Sequence, residues 1–297
     1  MMKCALSTTV ALACLAMPKL AQATEGSFDS NGVKIRYVTE GKGEPVVLIH
    51  GWMGDSSMWG RDASGNTKLD ADPLPGFRII ALDCRGHGKS GKPHAPTEYG
   101  AEMAADVVRL LDHLKIKRAH MVGYSMGAFI VGKVAATHPE RLLSAIYGGQ
   151  APLIGAVKTS GSREVEAFAK AVDEGKGLGP YILAMSPADR PKPTPEQAEA
   201  YAKYLYGGKD VKAFAASGRS FKYLAVSAKD LARCKAPALF LYGSNESSAV
   251  KRGVAAARKV LVKSQVKVVE GTDHMTTPAK PEFGATIIEF LRSHKTK

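Results

Sequence analysis

Short apolar runs that stop at a glycine or a charge alternate along most of this chain with longer stretches whose apolar residues recur every three to four positions. The first rhythm predicts buried strands and the second amphipathic helices. Val33 to Thr39 alternates directly after Asn31-Gly32, so the fold opens with a hairpin. Pro45 to Ile49 and Phe77 to Leu82 are continuous apolar runs ending in His50-Gly51 and Asp83, as strands covered on both faces require. From Thr97 to Leu114 the apolar positions are Met103, Val107, Leu110, Leu111 and Leu114, a helical period with Thr97 as its N-cap. A strand over Ala119 to Gly123, a helix over Met126 to Thr137 and a strand over Leu142 to Tyr147 continue the alternation.

After Gly148-Gly149 the rhythm breaks. Ala151 to Arg233 holds helical patches without a buried strand, and prolines crowd the stretch from Ser186 to Pro195. This is too long for a simple connection and predicts a helical insertion acting as a lid. The alternation returns with a strand over Ala238 to Tyr242, a helix over Val250 to Val260, a strand over Val266 to Glu270 and a closing helix over Pro281 to Ser293. Strand, crossover helix and strand in repetition predict an α/β fold: a mostly parallel central sheet with helices on both faces and an inserted helical lid. The expected organisation is a leader over 1–23, core over 24–150, lid over 151–233 and core again over 234–297.

Composition changes this picture little. At 297 residues, 45% hydrophobic and 23% charged, the chain can bury a substantial core, which excludes wholesale disorder. The net charge is +13, and +11 without Lys3 and Lys19 of the leader. The lysines are scattered, as at Lys203, Lys209, Lys212, Lys222 and Lys229, with no basic stretch interleaved with aromatics. A solvated basic surface is therefore expected, and no nucleic-acid groove.

The start of the chain reads as an export signal: Lys3 is the positive charge, Ala5 to Met17 the apolar run and Ala21-Gln22-Ala23 the cleavage site. Export to a bacterial periplasm or medium follows, with the mature chain beginning near Thr24. The apolar run is shorter than the roughly 20 residues that span a bilayer, so no stable membrane insertion is expected after cleavage. Ala11-Leu12-Ala13 is a poor lipoprotein box before Cys14. Cleavage removes Cys4 and Cys14, and the remaining Cys84 and Cys234 fall at distant places in the predicted sheet, so no disulfide is expected between them.

Chemistry concentrates at Gly123-Tyr124-Ser125-Met126-Gly127, a G-x-S-x-G pattern between a predicted strand and a predicted helix. Such a turn holds its serine in a strained backbone above the sheet, and the flanking glycines let neighbouring backbone approach. Together with His50-Gly51-Trp52 and Asp83-Cys84-Arg85-Gly86-His87-Gly88-Lys89-Ser90, this elbow resembles the α/β-hydrolase superfamily over nearly the whole chain after the leader. The resemblance leans toward lid-bearing esterases, carbon–carbon bond hydrolases and cofactor-free haloperoxidases. Ala128 stands where many of them have a third glycine.

The resemblance implies Ser125 as nucleophile and His274, in the loop after the last strand, as its base, because a serine hydroxyl needs a neutral imidazole near pH 7. Counting from Gly243 places Glu246 at the acid position, with Asn245 and Asp273 as weaker choices. Backbone N–H groups of Trp52 and Met126 are the implied oxyanion donors, and Trp52, Tyr124 and Met275 the implied pocket residues. His50 and His87 are expected to shape their loops, Asp83 and Arg85 to hold a buried turn, and His94, His113, His120, His138 and His294 to be surface or packing residues. No metal-ligand spacing and no phosphate-binding glycine loop occurs, so no metal and no cofactor is expected. The expected partner is a small-molecule ester or acyl compound hydrolysed through an acyl-serine. Carbon–carbon cleavage, lactone opening, perhydrolysis, or ligand binding with little turnover stay open on the same residues.

Overall fold

The computed structural model describes residues 23–60, 74–155, 163–186 and 191–296. The export signal expected over 1–23, with Cys4 and Cys14, falls outside the described residues except for Ala23. Strands β1 (Thr24–Ser30) and β2 (Val33–Gly41) form the opening hairpin, turning at Asn31-Gly32 with both residues at positive φ (57° and 80°). Then follow β3 (Glu44–Ile49), β4 (Phe77–Leu82), helix α1 (Ala101–His113), β5 (Ala119–Tyr124), α2 (Met126–Thr137) and β6 (Leu142–Gly148). Five helices come next: α3 (Arg163–Glu174), α4 (Gly179–Met185), α5 (Pro195–Tyr206), α6 (Val211–Arg219) and α7 (Ala228–Leu231). Strand β7 (Ala238–Gly243), helix α8 (Ser248–Val260), strand β8 (Gln265–Val269) and helix α9 (Pro281–Ser293) complete the chain.

The eight strands form one sheet in the order β1-β2-β4-β3-β5-β6-β7-β8. The pairings involving β2 are antiparallel and those from β4 to β8 are parallel. Strand β3 shows why a continuous apolar run is needed. Val47 and Ile49 join the core under α1, α2 and α8, while Val46 and Leu48 join the opposite core under α9, and all four are fully buried. Each such side chain stabilises the fold by about 1.5–3 kcal/mol. Because β3 lies between β4 and β5, the order of the chain reverses there, and sheets of this kind carry their functional residues at the strands' carboxyl ends beside such a reversal.

One helix departs from expectation. Thr97 lies in a 3₁₀ turn over Pro96–Glu98, and α1 starts only after Gly100, whose φ is 61°. The Gly100 amide is satisfied from the insertion, where Ser220 Oγ accepts it at 3.0 Å. A tertiary contact has replaced the local cap. The insertion between β6 and β7 is helical as expected and has its own apolar centre around Phe168, Tyr181 and Phe214.

Asp83 and Arg85 are buried, each with its own partner. The Asp83 carboxylate accepts the Ser56 and Lys89 amides (both 2.8 Å) and pairs with Arg36 (3.3 Å). The Arg85 guanidinium grips Asp106 of α1 with two hydrogen bonds of 2.7 and 2.6 Å. Arg85 and Asp106 side chains are both 1% exposed, so Asp106→Ala leaves a buried cation with only the Glu102 carboxylate, at 3.7 Å, beside it. A loss of about 3–5 kcal/mol is expected, read as a lower midpoint in urea unfolding. Cys84 and Cys234 are both buried and free, since they follow β4 and precede β7, with β3, β5 and β6 between those strands. Among the described residues no helix is long and apolar enough to cross a membrane.

Candidate active site

Ser125 sits between β5 and α2 with φ 55° and ψ −115°, a strained conformation for a residue with a side chain. The flanking glycines explain how the turn survives. A Cβ on Gly123 would strike the Gly127 carbonyl, and one on Gly127 would strike the Ile49 carbonyl. Ala128 packs fully buried where a third glycine is common among the resembling sequences.

His274 lies in the loop after β8 and reaches Ser125 from 149 positions away, with Nε2 at 2.9 Å from Oγ. Its Nδ1 lies 2.7 Å from Oε1 of Glu246, which follows β7. The carboxylate only accepts, so Nδ1 carries the proton and Nε2 is free to accept from the serine. Glu246 is buried, and its second oxygen accepts the Ser247 amide (3.3 Å) at the amino end of α8, where the helix dipole favours an anion. Burial works against a charged His274. The Glu246 hydrogen bond and charge, aided by the fields of Glu164 and Asp273, outweigh it and hold the imidazole above its usual pKa.

The alternative acid is occupied elsewhere. Asp273 accepts from the Met275 amide (3.0 Å), the Thr276 amide (2.9 Å) and the Thr276 hydroxyl (2.7 Å), so its carboxylate closes its own turn. The backbone of Asn245 is held by the Thr272 carbonyl (2.8 Å). Thr272 and Thr277 are groups that the sequence did not flag. Their buried hydroxyls lie 2.8 Å apart, with the Val269 carbonyl (2.9 Å) and the Asp273 carbonyl (2.6 Å) as acceptors, which braces the histidine loop. Two hydroxyls five residues apart around the histidine are the only sequence trace of this brace.

The loop after β3 packs directly on the serine, since a Cβ on Gly51 would meet Ser125 Cβ at 3.3 Å. His50 shapes that loop as expected. Its Nε2 accepts the Cys84 amide (3.0 Å), which puts the proton on Nδ1 to donate to the Gly51 carbonyl (2.7 Å). Burial keeps this ring below its usual pKa and therefore neutral. Met126 is the first residue of α2, so its N–H has no acceptor within the helix.

Of the three residues expected to line a pocket, Tyr124 needs correction. It is 4% exposed, donates its hydroxyl to the His274 carbonyl (2.6 Å) and packs on the His274 ring at 5.4 Å. The end of β5 turns this side chain under the histidine, where it supports the loop instead of facing substrate. Met275 is 82% exposed beside the histidine. Trp52 is half-buried between the β3 loop and the insertion, its Nε1–H donating to the Phe214 carbonyl (3.0 Å).

A family model described as the alpha/beta hydrolase fold matches residues 44–278. Among curated proteins, the chain is 38% identical over 118 residues to the dihydrolipoyllysine-residue acetyltransferase component of the acetoin cleaving system of Cupriavidus necator, covering 39% of this chain and 29% of that protein. It is 32% identical over 131 residues to an epoxide hydrolase of Caballeronia sordidicola, covering 44% of this chain and 38% of that protein. The chain thus spans less than half the length of these curated relatives. A solved structure from a study of carboxylesterases of Nitrososphaera gargenis matches with a TM-score of 0.72 and 23% identity, covering 91% of this chain and 98% of that one. The family match runs from the first residue of β3 to the histidine loop, and so takes in every strand from β3 to β8: the chain belongs to the α/β-hydrolase family.

Proposed function

We propose that this hydrolase cleaves a carboxylic ester or related acyl bond through an acyl-serine intermediate. The observation that carries the reading is the hydrogen-bonded line from Ser125 Oγ through His274 to Glu246, at 2.9 and 2.7 Å. His274 Nε2 takes the hydroxyl proton as Oγ attacks the carbonyl carbon, and Glu246 stabilises the imidazolium. The carbonyl oxygen gains the negative charge beside the Trp52 and Met126 amides, each contributing about 3–4 kcal/mol as such donors do elsewhere. Collapse of the tetrahedral species expels the leaving alkoxide, which takes the proton back from His274. Water then repeats the sequence on the acyl-serine.

Ser125 at the elbow, where an aspartate would attack without losing a proton, argues against epoxide opening. Export to a periplasm or medium by the leader, and gating by the insertion, belong to the same proposal. Incubation with a fluorophosphonate is expected to label Ser125, and p-nitrophenyl esters of graded chain length are expected to turn over. Absence of labelling in folded protein sinks the reading, whereas faster turnover of lactones than of open esters redirects it to lactone opening.

A further inference from the structure

We propose that helix α6 is a fixed strut that positions both oxyanion amides, acting through the side chains of Trp52 and Met126. The inference rests on the assignment of those two amides under the proposed function.

The loop that carries the Trp52 amide is a tight turn, closed by the Gly54 amide donating to the Gly51 carbonyl (3.1 Å) with Met53 at φ 63°, and the seat of that turn over the serine needs support from outside. That support comes from one turn of α6. The Phe214 carbonyl accepts the indole N–H of Trp52 at 3.0 Å, and Ser217 Oγ lies 3.9 Å from Met126 Sδ. Gly218 makes room for the indole and for Val165 of α3: a Cβ there would stand 2.9 Å from Trp52 Cζ2 and 2.8 Å from Val165 Cγ1. The Phe214 ring also packs on His87 (5.0 Å), which packs on His50 (5.2 Å), the residue that holds the Gly51 carbonyl. Of the two residues expected to donate to the oxyanion, Trp52 is therefore held, and Met126 touched, by the same five positions of the insertion.

Helix α6 is also anchored at both ends. At its start Asp210 accepts the Ala213 amide (3.0 Å) and pairs with His94 of the core (2.9 Å). At its end Ser220 Oγ accepts the Gly100 amide (3.0 Å), and Phe221 meets Phe129 of α2 edge-on at 6.0 Å. Ala213 through Gly218 are all buried, so the helix is enclosed around its whole circumference. A segment that swings to admit substrate needs a face it can release cheaply, and α6 has none, so the gating falls to the rest of the insertion. Its place in catalysis is to hold amides in line, and a misplacement of about 1 Å in such a group costs about 100-fold in rate.

The test uses the full chain and two variants read against a p-nitrophenyl ester and an arylboronic acid, which forms a tetrahedral anion on a reactive serine. Trp52→Phe keeps an aromatic ring but removes the donor to Phe214, and Gly218→Ala pushes the same indole, together with Val165, from the insertion side. Both are expected to lower kcat about tenfold or more and to weaken boronate affinity by a similar factor, with KM within about twofold. The acid limb of the pH profile should not move, because His274 and Glu246 are untouched. Either variant, if folded, decides the matter. Unchanged kcat and boronate affinity, or a loss confined to KM, overturns the strut and makes α6 a wall or gate of the substrate site. If the parent itself resists fluorophosphonate, the serine-hydrolase reading fails and the strut falls with it; if the parent is labelled and the variants match it, the strut alone fails.

Discussion

Replacing Ser125 with alanine is expected to lower kcat about a million-fold, to abolish fluorophosphonate labelling and to leave KM nearly unchanged. Among the described residues, the hydroxyl at 2.9 Å from His274 Nε2 is the only nucleophile aligned with that base, so its removal takes away the covalent route as a whole. A companion variant separates chemistry from folding. At φ 55° the backbone of residue 125 carries strain of about 1–3 kcal/mol for any residue with a Cβ. Ser125→Gly relieves it, and after the larger chain entropy of glycine is subtracted about 1 kcal/mol remains, a rise of a few degrees in Tm. Ser125→Ala keeps the strain and should melt near the parent. If Ser125→Gly melts below Ser125→Ala, the elbow is not strained in the manner its torsions imply.

Glu246→Gln is expected to lower kcat about 10³–10⁴-fold, since an amide cannot stabilise the imidazolium and can select the wrong tautomer. The pH profile gives the sharper signature. His274 works only as neutral imidazole, and the parent ring is held above its usual pKa, so kcat/KM should rise along an acid limb displaced upward. Removing the Glu246 charge leaves the burial that disfavours the cation, so the His274 pKa falls and the limb moves to lower pH. Glu246→Asp keeps the charge one methylene short of the 2.7 Å contact and should lie between parent and Gln in rate. A Gln variant whose limb stays in place would remove Glu246 from the relay.

Much of this was legible beforehand. The strands over Pro45 to Ile49 and Phe77 to Leu82, the helix over Met126 to Thr137 and the closing helix over Pro281 to Ser293 match β3, β4, α2 and α9 within a residue. The rule that reads them is local: a side chain's face is set by neighbours one to four positions away, so periodicity reports burial. The start of α1 was misjudged because Ser220, 120 positions downstream, caps Gly100 in place of a neighbouring side chain. The burial of Tyr124 is not legible in the sequence, because the sense of one side chain at a strand end depends on what packs beneath it.

By itself, then, the sequence determined the order of elements, the elbow around Ser125 and the short set of acids that could serve His274. Only the tertiary structure decided that Glu246 meets the imidazole while Asp273 closes its own turn, that Arg85 pairs with Asp106, and that Trp52 is tied to Phe214 from 162 positions away. The reason is one of range. Backbone torsion and alternation are local and written in adjacent residues, whereas the direction of a carboxylate or an indole is fixed by close packing among segments brought together only when the sheet forms.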